Sequence, residues 1–411
     1  MQHIELNYYL TTMLNASSAK QDAVYDGKEI SDLNLTVDKP LQVERNGELT
    51  PVACEPPIER LTPFQTEMFA LNLINGSTRL LRDLLDTGSC DLSYSLENQI
   101  RFRVNVFTQR SNLSIVLRKL NTKIPTFAQL NLPETIHQVA LEKNGLVLVT
   151  GATGAGKTST LAAVVNEINE TKSVHIITLE DPVEFVHPQK KSTLNQREMG
   201  SDFTDFATGL RAALRQAPKV VLVGEIRDRE TVEVALNAAE TGHLVLSTLH
   251  TTNAGLSINR ILGFFKPEEQ DQVRVRLSDS LRWVISQRLV PKIGGGRYGL
   301  FEIMGSNLRT RETIIQGESE GKSYNEIIEA SQIFGWKTFD QAAIDAYESN
   351  IIDEQTALTF CTRRGVVSRG IDRIKHERGQ ATVRSDLRMK SEAAAAPASP
   401  PVPAPPPLKM K

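Results

Sequence analysis

The sequence predicts an α/β protein: a mostly parallel sheet with crossover helices in the middle of the chain, preceded by a smaller α+β module. Three observations carry that expectation. Short apolar runs at 146–149, 174–178, 220–223 and 244–248 alternate with helical stretches, the pattern of strands joined by crossover helices. The first run leads straight into Gly151-Ala152-Thr153-Gly154-Ala155-Gly156-Lys157-Thr158, a complete G-x-x-x-x-G-K-[ST] loop, and an apolar-periodic stretch from Leu161 to Val165 follows it. Upstream, Ile100, Phe102, Val104 and Val106 alternate with Arg101, Arg103 and Asn105, a strict period of two that places both arginines on one polar face of a strand.

At 411 residues the chain is too long for one ordinary core, so two domains and a tail are expected. We divide it at 1–119, 120–375 and 376–411. The 49 acidic and 47 basic residues leave a net charge of −2, which gives no reason to expect direct nucleic-acid binding. Cys54, Cys90 and Cys361 stand too far apart for a zinc module or a disulfide framework, which fits a reduced, cytoplasmic compartment. The N-terminus shows no signal-peptide pattern, and no window approaches the roughly 18 apolar residues of a membrane span, so any membrane contact is expected to be peripheral.

In the first module, residues 33–37 and 41–45 alternate, and Asn46-Gly47 follows, the favoured pair for a two-residue hairpin turn. Pro125 and Pro133, with polar residues between 121 and 129, suggest a linker before a nucleotide domain that starts near Leu130. Residues 305–375 read as helical, with Trp336, Phe339 and Tyr347 spaced to face a core. Beyond His376 the chain turns basic and then Ala/Pro-rich, a composition that cannot bury a core. Residues 363–390 hold nine Lys/Arg against three Asp/Glu, suited to an acidic partner or an anionic leaflet, or simply to a solvated helix end.

The chemistry gathers at the strand ends. A strand, a glycine loop and a helix N-terminus aim successive backbone N–H groups at a nucleotide phosphate. Gly151 through Thr158, with Ser159, form that cradle; Lys157 reaches the β/γ oxygens and the Thr158 hydroxyl can hold Mg²⁺. The run Glu180-Asp181-Pro182-Val183-Glu184 follows a strand, and Glu184 is the candidate for polarising the attacking water. Glu225, at the tip of the apolar run 220–223, sits where a Mg²⁺-associated acid belongs. His250 ends the last strand and can sense the γ-phosphate. His243 serves as a helix cap or a catalytic group, with no third residue spaced to make a metal site. Arg211 and Arg215 share a helix face and read as structural, so no cationic finger is evident near the active strands. Arg101, Arg103 and Arg118 are the candidate donors, supplied by the first domain of the same or a neighbouring subunit. No Asn-Lys-x-Asp base-reading motif supports a GTPase, and nothing resembles the substrate lid of a small-molecule kinase.

Four motifs in order, the loop 151–158, the acidic box 176–185, the segment 220–228 and the histidine box from Glu240 to Thr251, resemble the secretion-type ATPases that drive type IV pili, and among them the PilT-like retraction motors. Over residues 30–370 the resemblance implies a PAS-like N-terminal domain, a RecA-like P-loop ATPase domain, a homohexamer and ATP as substrate with Mg²⁺. It also implies sites completed by N-terminal arginines, and a motor at the inner face of the inner membrane acting on a pilus platform protein. The Ala-Ile-Arg-Asn-Leu-Ile helix motif of retraction motors is replaced by Thr310-Arg311-Glu312-Thr313-Ile314-Ile315. The runs at 214–218, 227–231 and 336–341 look more like the accessory PilU paralogues, so a second retraction ATPase is a candidate partner. A type II/IV secretion or DNA-transfer ATPase of the same superfamily is the alternative. Three distant cysteines cannot make the four-cysteine zinc module of extension motors.

Overall fold

The computed structural model describes residues 2–15, 30–45, 47–96, 100–120 and 123–380. It contains two sheets with separate apolar cores. The first is built from β1 (Ile30–Leu35), β2 (Gln42–Arg45), β3 (Glu48–Pro51), β4 (Ser89–Leu96), β5 (Ile100–Gln109) and β6 (Asn112–Leu120), in the order β3-β2-β1-β6-β5-β4. All of its pairings are antiparallel. Arg45 faces Glu48 across the β2–β3 hairpin and Gly47 has a φ of 86°. Asn46, the first residue of the expected turn, lies outside the described residues.

Helices α1 (Gln2–Asn15), α2 (Pro63–Ile74) and α3 (Thr78–Thr87) accompany this sheet. Thr62 and Gln65 form a capping box at the start of α2, and Pro63 occupies the first turn, where a missing N–H costs nothing. Alternation along β5 works as expected: Phe102, Val104 and Val106 are fully buried, while Arg101 and Arg103 project from the opposite face.

The second sheet consists of β7 (Gly145–Thr150), β8 (His175–Glu180), β9 (Thr193–Glu198), β10 (Val220–Val223), β11 (Leu244–Leu249), β12 (Leu281–Pro291) and β13 (Arg297–Gly305). Its order is β13-β12-β7-β11-β10-β8-β9; only the β12–β13 pair is antiparallel. All four apolar runs are strands, and β7, β10 and β11 are buried along their whole length, as parallel strands covered by helices on both faces must be. β9 is a polar edge strand and β12 follows a helix without a break, so neither presents the isolated apolar run that marks the others.

Short helices α4 (Phe127–Leu130) and α5 (His137–Leu141) lead in, then α6 (Lys157–Thr171), α7 (Phe206–Leu214), α8 (Arg229–Glu240), α9 (Ala254–Leu262) and α10 (Pro267–Ser280) pack around the sheet. Phe127 is buried in the second core, so part of the expected linker belongs to the nucleotide domain. Beyond β13 come α11 (Leu308–Gln316), α12 (Tyr324–Ala330), α13 (Phe339–Glu348), α14 (Glu354–Phe360) and α15 (Arg364–Glu377). Trp336, Phe339 and Tyr347 are buried there. The basic and Pro-rich stretch from 381 onward lies outside the described residues. Among the described residues, no helix is long and apolar enough to cross a membrane.

Candidate active site

The order β7-β11-β10-β8 sets four carboxyl ends side by side, and ligands of open α/β sheets bind outside such ends. From β7 the chain enters the glycine loop. Gly151, Gly154 and Gly156 all have positive φ (149°, 77° and 89°). At Gly151 a Cβ would lie 2.5 Å from the Gln287 carbonyl oxygen, so only glycine lets the loop pass beneath β12. Ala152, Thr153 and Gly154 are exposed, leaving that part of the loop open to a ligand.

β12 props the loop from behind. Gln287 donates to the Ala155 carbonyl (2.6 Å) and accepts from the Thr160 hydroxyl (3.0 Å), and Thr150 donates to Ser286 (2.8 Å). Nothing in the sequence pattern marks Gln287 for this role. The Lys157 ammonium is buried and folds back on the loop, donating to the carbonyls of Gly151 (2.9 Å) and Ala152 (3.2 Å). Burial pulls its pKa down, and the Glu225 carboxylate opposes that shift.

A cavity of about 640 Å³ opens over the loop, walled by Lys157, Thr158 and Ser159 on one side and by Glu180, Asp181, Glu184, Glu225 and His250 on the other. Thr158 donates to the Glu184 carboxylate; burial still holds Glu184 above the usual carboxylate range, against the pull of Thr158 and of Arg103. Asp181 is likewise raised by burial, tempered by Arg227 and Arg103. Glu180 is buried at the end of β8, accepts from Thr178 (2.6 Å) and Gln196 (3.0 Å), and is also raised by burial. At the end of β10, Glu225 pairs with Arg227 and has His250 Nε2 at 3.4 Å from its Oε2.

The three first-domain arginines separate. Arg103 lines the cavity. Arg101 instead holds Glu198 at 2.9 Å, and Glu198 also accepts from the Val183 amide (3.1 Å), beside Glu184. Arg118 holds Asp32 at 2.9 Å within its own sheet. Contrary to the expectation that the nucleotide domain supplies no cation near the active strands, Arg227 and Arg297 both line the cavity. Arg297 was hidden because its strand, β13, was not anticipated. Arg211 pairs with Glu230, and Arg215 donates to the Arg211 carbonyl; neither lines the cavity. His243 caps: its Nδ1 lies 3.0 Å from the Ala238 carbonyl at the end of α8. His187, unmarked in the sequence reading, also lines the cavity; it is buried, its Nδ1 has no partner, and burial pushes its pKa down to about 4.

The chain matches the family model described as "Type II/IV secretion system protein" over residues 82–313. It is 40% identical to the type IV pilus retraction ATPase PilT of Pseudomonas aeruginosa over 346 residues, covering 84% of this chain and 96% of PilT. It is 38% identical to the type IV pilus ATPase PilU of the same organism, covering 80% and 84%. Among solved structures it superposes on the pilus retraction motor PilT with bound ADP at a TM-score of 0.75 and 42% identity, covering 83% and 95%. The ATPase DotB of Legionella pneumophila gives 0.70 and 28%, covering 80% and 91%.

Proposed function

Since the chain belongs to the type II/IV secretion system protein family, and within it to the PilT-like ATPases, we propose that it is a homohexameric motor that hydrolyses Mg²⁺-ATP to retract type IV pilus fibres. The observation that carries this reading is the convergence of Lys157, Glu184, Glu225 and His250, from four separate strand ends, around one cavity that opens on a phosphate loop. ATP binding draws the Lys157 ammonium from the carbonyls of Gly151 and Ala152 onto the β/γ oxygens, while the loop amides take the β-phosphate. The Thr158 hydroxyl and Glu225 carboxylate are hard oxygen donors suited to Mg²⁺, which supplies charge neutralisation on the phosphates.

Glu184 takes the proton of the attacking water. A carboxylate held above its ordinary pKa is a better acceptor at neutral pH than an exposed one, provided it stays ionised. His250 hydrogen-bonds the γ-phosphate, and Arg103 contributes positive charge from the N-terminal domain. Arg101 and Arg118 join the site only when domain motion or a neighbouring subunit frees them from Glu198 and Asp32. The motor works in the cytoplasm at the inner face of the inner membrane, pushing on a platform protein.

A second reading has a specific observation behind it. Identity to PilU is nearly that to PilT, so an accessory retraction ATPase working beside a main one is the second reading. Twitching motility and surface piliation of a deletion strain, complemented with wild type or Glu184→Ala, separate the two. Non-motile, hyperpiliated cells rescued only by wild type identify a main retraction motor; normal piliation favours the accessory role, or a secretion role outside the pilus.

A further inference from the structure

On β13, outside the nucleotide cavity, Glu302 is buried with 2% of its surface exposed. Its carboxylate accepts from the backbone amide of Ala254 at 2.9 Å. It also accepts from the backbone amide of Phe339. Ala254 is the first residue of α9 and Phe339 the first of α13, so one side chain closes the positive ends of two helices. Between the end of β11 and α9 lie only His250, Thr251, Thr252 and Asn253. This strap is anchored at both ends: Gly151 donates to the Leu249 carbonyl (3.3 Å), and the Thr251 and Ser257 hydroxyls are 2.6 Å apart. On the other side, Asp340, next to Phe339, accepts from the amides of Thr362 (2.7 Å) and Arg363 (2.9 Å) and pairs with the Arg363 guanidinium at 2.8 Å. The first turn of α13 is thereby tied to the start of α15.

We propose that Glu302 is a positioning residue for hydrolysis: by holding the first amides of α9 and α13 together, it fixes the His250 strap against the C-terminal helices and sets where the imidazole meets the nucleotide. The inference rests on the role given above to His250. Glu302 touches no substrate and acts through Ala254.

The charged groups facing Glu302 are Arg288 from β12 and Asp340 from α13, the latter paired with Arg363; α9 meets it with the Ala254 amide. Burial dominates and pushes Glu302 up to about 7, against the two amides and Arg288. Its charge therefore changes near neutrality. An ionised carboxylate holds two amides more strongly than a neutral acid or an amide side chain does.

The test compares ATP turnover and fluorescent-ADP binding of the full-length wild type, Glu302→Gln and Glu302→Met between pH 6 and pH 8. With Glu302→Gln, the wild-type-to-variant ratio of kcat is expected to rise from near one at pH 6 to about tenfold at pH 8, with KM and ADP affinity unchanged within about twofold. Glu302→Met, which leaves the amides of Ala254 and Phe339 without their acceptor, is the second variant, with ADP binding as the control that it has folded; its ratio also rises with pH. A ratio that does not vary with pH, or variants that match wild type throughout, would overturn the proposal. A wild-type chain with no turnover would overturn the active-site reading as well, and is told apart by that control.

Discussion

His250 Nε2 lies 3.4 Å from Glu225 Oε2, joining the ends of two adjacent parallel strands, β11 and β10. In the neutral imidazole one nitrogen donates and the other accepts, so His250 can hold Glu225 or turn to a γ-phosphate oxygen, but the same nitrogen cannot do both. This exchange is the physical basis we propose for sensing the γ-phosphate. Replacing His250 with Asn removes the reach while keeping a polar group. Loss of a hydrogen bond to a charged oxygen costs about 1.5–3 kcal/mol, so kcat falls roughly 10- to 100-fold with ADP affinity preserved. Steady-state phosphate release together with fluorescent-ADP titration checks both halves.

Lys157 has left water for two loop carbonyls, and its charge is best satisfied when a phosphate arrives. Lys157→Ala is expected to weaken ATP binding by roughly 10- to 100-fold, the loss of a charge-assisted contact. Equilibrium nucleotide titration measures it directly. Unchanged affinity would show that the loop amides alone hold the phosphates.

Arg101 and Glu198 bridge the two sheets with side chains only 18% and 13% exposed. Since Glu198 also takes the Val183 amide, the pair is expected to couple the first domain to the segment that carries Glu184. A double-mutant cycle of Arg101→Ala and Glu198→Ala should give an interaction energy of at least about 1 kcal/mol in urea unfolding. Additive losses would mean that the bridge contributes nothing beyond its separate parts.

The strands that end at the candidate site were legible in the sequence because buried parallel strands are written as unbroken apolar runs, and each runs into a polar residue of the cavity: Lys157 past the loop, Glu180, Glu225 and His250. What props and tunes them was not legible. Gln287 lies 132 positions from the carbonyl it holds, Arg101 lies 97 from Glu198, and Glu302 lies 48 from Ala254. No local pattern encodes such pairings. β9 and β13 escaped notice for a related reason: they are edge strands, and β9 is too polar to read as a core strand. Arg297 was missed with β13.

Burial keeps His187 neutral, with its pKa pushed down from 6.5 to about 4. An unfolded chain takes up this proton near pH 6.5 and the folded chain does not, so the unfolded state binds more protons between these values. Stability from this group is full above pH 6.5 and is lost as pH falls toward 4. Thermal melts of wild type and His187→Gln at pH 7 and pH 5 are expected to show a smaller acid-induced drop in the variant. An equal drop would assign the acid loss to other groups.

Glu184 is the residue on which the account turns, since it meets Thr158 of the phosphate loop and is the group assigned to activate water. The most direct measurement is ATP turnover of Glu184→Gln beside wild type, with ATP binding measured on the same preparations. The account predicts a loss of about 10²- to 10⁴-fold in kcat, the range for removing a general base, with binding retained. Turnover close to wild type would contradict it.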